Sequence, residues 1–331
     1  MLWSFSVNVR IVINLSLLSS ALPKKLVFSG IHPCLPCFFY EIVCFFISYM
    51  FKCSLSLILF GVSCLSANPT TELAKIEQAL KEVRGVELSR VPKVLVYSQA
   101  SGFAHKSIPT GIKALRELAK KTGAFDPEFS QSVEDFTSKN LNRFDGVIFN
   151  NCTRIEKAFS KSQHREALLA FIRQGKGYAG FHGASDAGMP RWNEYTEMVG
   201  GCFDGHPWNA GGTWPFIVED TAHPLCKSFS SRTFRFSDEI YQYKGYDRSK
   251  LRVLVSLDSP KSGIQGKSPT KDYPVSWVKA YGKGRVFYSN FGHNKASWWT
   301  PFLLKHFLAG IRWSVGDLDG PWTSLPLPES K

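Results

Sequence analysis

Between residues 93 and 187 the chain alternates apolar runs with amphipathic stretches, and this alternation constrains the fold more than any other feature. KVLVYS (93–98), FDGVIFNN (144–151) and YAGF (178–181) have the length and apolar content of fully buried strands. Between the first two, Ile112, Leu115, Leu118 and Ala119 recur at helical spacing up to a stop at Gly123. QHREALLAFIRQGKG (163–177) repeats that pattern, with glycine at its end, and feeds the third strand. Strands that are apolar on both faces, joined by helices, predict an α/β chain with a mostly parallel sheet covered on both sides.

The pattern changes after residue 200. GTWPFIVED (212–220), TFRFSDEIYQY (233–243) and RVLVSLD (252–258) read as strands, and 273–293 as a hairpin turning at Gly282-Lys283-Gly284. These segments predict a β-rich insertion. Thr300 and Pro301 then open a final helix with Leu303, Phe307 and Ile311 on its inner face. Ahead of the sheet, TTELAKIEQALKEVRG (70–85) has Leu73, Ile76, Leu80 and Val83 at helical spacing behind a threonine cap.

The first 67 residues differ in kind, with four Lys/Arg, one acid and five of the eight cysteines. Met50, Lys52, an apolar stretch and small residues before Asn68-Pro69 have the layout of a secretory signal peptide. The expectation is a start at Met50, with 1–49 an over-extended gene prediction and 50–67 removed near Ser66 or Ala67. The mature protein would be secreted or periplasmic and have no stable membrane span. The alternative is a membrane anchor over 38–60, interrupted by Glu41 and Lys52. Three cysteines would remain, Cys152, Cys202 and Cys226, too few for a disulfide scaffold. The net charge of +13 is scattered, with no basic run denser than pairs such as Lys120-Lys121, so no nucleic-acid partner is expected.

In doubly wound sheets ligands bind beyond the carboxyl ends of the strands. His105, Asn150, Asn151 and His182 all fall at such ends. His182, between Gly180 and Gly183, sits where a sharp strand-to-helix elbow usually lifts a nucleophile. An imidazole there serves as general base or metal ligand, or simply hydrogen-bonds into its loop. Asp186 would orient that ring or bind a hydroxyl, or else cap a helix. His206 and Trp208 lie in GHPWNAGGTW (205–214), where Trp208, Trp214 and Phe103 offer faces for sugar stacking or ordinary packing. His206 is also half of a His-Pro turn. Strand alternation over SDEIYQY sends Asp238 and Glu239 to opposite faces, with one toward a pocket and the other into solvent. His293, beside Gly292, ends the hairpin. His164 and His306 read as structural or surface residues. His105, His182, His206 and His293 are candidate ligands for a divalent, zinc-like metal, although no fixed-spacing metal motif links them. Walker A and dinucleotide fingerprints are absent from the sequence.

KVLVYSQASGFAHKSIPTGIKAL, FDGVIFNN, GKGYAGFHGASDA, GGCFDGHPWNAGGTW, DEIYQY, VSWVKAYGKGRVFYSNFGHN and LAGIRWSVGDLD, in that order, resemble the trehalose-utilisation (ThuA-like) family over about residues 90–318. Residues 68–89 would be a leading helix and linker, and 319–331 a C-terminal tail. The resemblance implies a flavodoxin-like sheet similar to class I glutamine amidotransferases. In those enzymes the elbow carries a catalytic cysteine. His182 stands at the matching position here, so glutaminase activity is not expected. The family's motifs map onto His105, His182, Asp186, His206, Glu239 and His293. They imply an exported enzyme of disaccharide or keto-glycoside catabolism with a small carbohydrate as substrate. Its rival is a non-catalytic carbohydrate-binding or accessory protein on the same fold.

Overall fold

The computed structural model describes residues 71–187 and 190–326. The proposed start at Met50 and the signal-peptide pattern of 50–67 lie outside the described residues. Helix α1 (Glu72–Leu80) is capped by Thr71, whose side chain accepts from the Ala74 N–H. Then follow β1 (Lys93–Tyr97), α2 (Ile108–Thr122), β2 (Asp126–Ser130), β3 (Gly146–Asn150), α3 (Ser162–Arg173) and β4 (Gly177–Phe181). Helix α2 stops where the sequence predicts: Gly123 takes the left-handed conformation, φ 64°, and donates to the Ala119 carbonyl. The second half comprises α4 (Asn193–Val199), β5 (Cys202–Phe203), β6 (Trp214–Val218), β7 (Thr233–Phe236), β8 (Tyr243–Lys244), β9 (Arg252–Leu257), β10 (Pro274–Tyr281), β11 (Gly284–Ser289) and α5 (Pro301–Ser314).

Among the described residues nine strands form one sheet in the order β2-β1-β3-β4-β11-β10-β9-β6-β7. The first five run parallel in the doubly wound arrangement. From β11 outward every pairing is antiparallel. The β-rich segment therefore extends the same sheet. Strand β2 lacks a strand signature in the sequence because DPEFS is polar and contains proline, which suits an edge strand. The 233–243 segment is shorter as a strand than its sequence suggests. Strand β7 ends at Phe236, and β8 pairs with β5 in a separate ribbon.

Two apolar layers clad the sheet. Helices α1, α2 and α5 share one core with Val94, Val96, Ile148, Phe181 and Phe287. Helices α3 and α4 share the other with Leu95, Tyr97, Val147, Tyr178 and Tyr288. This odd-even split along β1, β3 and β4 is what a sheet covered on both faces requires. Leu303, Phe307 and Ile311 of α5 are fully buried, each worth about 1.5–3 kcal/mol of transfer free energy. Among the described residues no helix is long and apolar enough to cross a membrane.

Candidate functional site

Strand β4 ends at Phe181, and His182 follows with φ of 45°, a region that non-glycine residues seldom occupy. The expected elbow is present as a single tight turn through Ser185. Gly183 leaves room for it: a Cβ there would stand 2.9 Å from Thr153 Cγ2 and 3.0 Å from the Asn151 backbone. The His182 carbonyl accepts from the Tyr288 hydroxyl at 2.6 Å.

The His182 ring is fully buried. Its Nδ1 lies 2.8 Å from the Asn290 carbonyl oxygen, which can only accept, so Nδ1 carries the proton and Nε2 the lone pair. The Asn290 side-chain amide, also close to Nδ1, donates to the Glu239 carbonyl. The Nε2 lone pair faces His293 Nδ1 at 3.2 Å and Glu239 Oε1 at 3.6 Å. His293 Nδ1 is 3.1 Å from the same carboxylate oxygen. His105 closes the group edge-on, its ring centroid 4.7 Å from that of His182 and 4.9 Å from that of His293. One donor atom from each of His105, His182, Glu239 and His293 lies within 4.8 Å of the others.

These side chains come from different strand ends: after β1, β4, β7 and β11. Buried polar bonds tie their loops together. Ser107 Oγ donates to the Gly292 carbonyl at 2.7 Å, and the Asn151 side-chain amide donates to the same oxygen at 3.2 Å. Asp238 does more than its sequence position suggests. Instead of facing solvent it is buried, and it accepts from the backbone N–H groups of Glu239, Gly292 and Asn294 and from Ser297 Oγ. These bonds turn the chain out of β7 and pin the loop that carries His293. Burial pushes its carboxyl up, against the pull of His182 and these donors.

Burial is the main cause that lowers His105 to about 2, and the neighbouring imidazoles add to it. Burial alone would push Glu239 up, but the adjacent His182 and His293 imidazoles outweigh it and hold the carboxyl well below its usual range. His293 is pulled down by burial and raised on balance by Glu239. A proton on His293 Nδ1, 3.1 Å from Glu239 Oε1, would separate otherwise repelling lone pairs.

Three observations fit a divalent cation in its place. His105 Nδ1 is buried without a hydrogen-bond partner among the described residues. The only lone pair of His182 is aimed at a carboxylate. A tetrahedral ion about 2.1 Å from its ligands sets them about 3.4 Å apart, and the closest separations here are 3.1, 3.2 and 3.6 Å. Three imidazoles and one carboxylate suit zinc or another mid-row divalent metal.

The remaining candidates fall around this cluster. His206 is half exposed, with Nδ1 3.4 Å from Glu239 Oε2, the oxygen facing away from the group, and its ring stacked on Phe203. The Asp186 side chain accepts from the Arg154 N–H while its carbonyl accepts from Ile155, so it caps the short turn at 155–158 from a distance. Trp208 is not a stacking face: it is fully buried, donates to Ser262 Oγ and packs edge-on against Tyr273. Its backbone pairs with Ile240 in an isolated antiparallel bridge. His164 and His306 are both buried, and His306 is held by Ser276 and the Leu225 carbonyl. Sequence reasoning missed Asn290 and Tyr288, whose only signal was their place at the end of a buried strand.

A family profile described as ThuA, trehalose utilisation, matches residues 93–314. Among solved structures, a ThuA-like protein from Bacteroides uniformis is 20% identical with a TM-score of 0.55, covering 68% of this chain and 94% of its own. A second, from Parabacteroides merdae, is 16% identical with a TM-score of 0.52, covering 72% and 94%. At these identities the likeness concerns the fold. No curated protein matches the chain significantly. The profile runs from the first strand of the sheet to the final helix, and on that span the chain belongs to the ThuA, or trehalose-utilisation, family.

Proposed function

We propose that this protein is a sugar-directed enzyme of disaccharide or keto-glycoside catabolism, working at a divalent-metal centre held by His105, His182, Glu239 and His293. One observation carries the reading: buried donors from four separate strand ends converge within 4.8 Å at the rim of the sheet. A bound divalent ion would supply Lewis acidity toward a carbonyl or hydroxyl oxygen of the sugar. Asn290 fixes the His182 tautomer so that Nε2 faces the centre. With that lone pair committed, proton transfer falls to His206, half exposed and joined to Glu239 Oε2.

On a 3-keto-glycoside the C–H beside the ketone is acidic. His206 would take that proton, the C–H electron pair would become a new C=C bond, and the glycosidic C–O bond would break. The proton would then pass to the departing oxygen. No oxidant is consumed, so the ketone must come from a preceding oxidation of the sugar. Export through the 50–67 segment accords with such a role, and N-terminal sequencing of the secreted protein tests it.

The deciding experiment combines metal analysis of the purified protein with product assays on oxidised and unoxidised disaccharides. The reading expects about one divalent ion per chain, lost in the His105→Ala, His293→Ala double variant, and turnover abolished in His182→Ala. Sugar binding without any product would favour the non-catalytic alternative, and a folded protein with neither metal nor turnover would refute the enzyme.

A further inference from the structure

A cleft of about 480 Å³ opens beside the histidine cluster, lined by Phe103, Arg154, Asp186, Arg191, Phe203 and Lys244 among others. One aromatic wall touches the cluster directly, and the other reaches it through His206 and Tyr241. Phe103 is 66% exposed, meets His105 edge-on and lies parallel to His293. Phe203 stacks with His206 and tilts against Tyr241, which packs on His182.

The cleft's charges are unbalanced. Arg154 Nε and Arg191 Nη1 share a single oxygen of Glu156, at 2.8 and 3.4 Å, and this carboxylate is almost fully buried. The terminal guanidinium nitrogens of Arg154 make no bond among the described residues, and Lys244 has no ion pair there. Three cations thus face two carboxylates, Glu156 and Asp186. Arg154 is also held in place. It sits at φ 50°, its N–H is bound by Asp186, and its stem fills the space above Gly102, where a Cβ would come within 2.3 Å of Arg154 Cγ. A non-glycine residue in this region costs free energy, and such strain clusters at ligand clamps. A guanidinium fixed by a buried carboxylate, with its outer nitrogens unpaired, is shaped for bidentate capture of an oxyanion.

Resting on the sugar-directed reading above, we infer that this cleft is a subsite for an anionic substituent, a carboxylate or a phosphate ester, on the second residue of the glycoside. The reacting ring lies at the histidine centre. The second ring lies between Phe103 and Phe203 and presents its anion to Arg154, Arg191 and Lys244.

Calorimetry on the full chain with methyl glucoside, methyl glucuronide and glucose 6-phosphate tests this. At low salt at least one anionic probe binds about tenfold tighter than the neutral parent, the scale of one charge-assisted hydrogen bond. The preference shrinks in high salt and is mostly lost in the Arg191→Gln, Lys244→Gln double variant, both of whose positions are exposed. The stronger anionic probe identifies carboxylate or phosphate as the recognised group. Equal binding of all three probes, no binding of either anionic probe, or a preference unchanged in the double variant overturns the subsite. His182→Ala separates the two readings, because it removes turnover and leaves this preference intact. Anion preference without turnover in the native protein sinks the enzyme alone, and turnover without anion preference sinks the subsite alone.

Discussion

Asp238→Asn changes one atom and tests how the site is held. The carboxylate receives four hydrogen bonds, two on each oxygen, between 2.6 and 3.0 Å. Asparagine keeps one oxygen and turns an NH2 toward two donors. If it faces Gly292 N and Ser297 Oγ, the serine hydroxyl can rotate to accept, and one backbone N–H is left unpaired in a dry place. Two charge-assisted bonds are lost at about 1.5–3 kcal/mol each, and the recovered serine contact and relief of charge burial return part of this. The expected net loss is about 2–4 kcal/mol, read by urea unfolding of the metal-free protein at neutral pH. Gly292 and Asn294 flank His293, so the substitution also loosens one of the four donors. Zinc affinity, measured by competition with a chromophoric chelator, should fall about 10–100-fold. A loss below about 1 kcal/mol together with unchanged zinc affinity would refute the assigned role.

Glu72 accepts from Lys295, Thr110 and Lys113, which hold its carboxyl down at about 2 against an ordinary 4.5. Its stabilising contribution is therefore complete above about 4.5 and disappears as pH falls to about 2. Acid titrations of stability for the native chain and Glu72→Gln should converge across that window, and parallel curves would contradict the pairing. Gly310 on α5 has no room for a methyl group, since a Cβ would come within 2.2 Å of Phe287 Cε1. Gly310→Ala should cost about 1–3 kcal/mol by denaturant unfolding, and a neutral result would mean that α5 shifts freely over β11.

The sequence makes the sheet's parallel half legible because β1, β3 and β4 are buried on both faces and read as unbroken apolar runs. Strand β2 is illegible because an edge position tolerates polar residues and proline. The break after Phe236 is hidden for a different reason. Alternation continues through Ile240 and Tyr241, and only the tertiary bonds of Asp238 reveal a turn there. The site divides the same way. Histidines at strand ends can be found from local pattern alone. Their supports, Asn290, Tyr288 and Asp238, act through partners about 50 or more residues away, and no local spacing encodes that. Trp208 shows the converse: an aromatic in a glycine-rich loop suggests a stacking face, but contacts with Ser262 and Tyr273, more than 50 residues away, hold the indole in the core.

The elbow itself is where strain and chemistry meet. His182 at φ 45° costs about 1–2 kcal/mol relative to an ordinary backbone, so neighbouring contacts must hold it there. Its ring is fixed by Asn290 and its carbonyl by Tyr288, whose hydroxyl also meets Ser185 Oγ at 3.0 Å. Tyr288→Phe removes the carbonyl's donor and nothing from the ring. If Tyr288 is a positioning residue, this variant loses about 1–2 kcal/mol of stability and also about tenfold in zinc affinity, because the Nε2 direction depends on the backbone that Tyr288 clamps. A purely structural tyrosine would lower stability and leave zinc affinity unchanged. Asn290→Ala gives the complementary case. It removes the side-chain links to Glu239 and Tyr241, while the backbone carbonyl that sets the His182 tautomer remains. Zinc affinity that falls in Asn290→Ala and holds in Tyr288→Phe would place control of the site in the Glu239 loop and refute the elbow as its source.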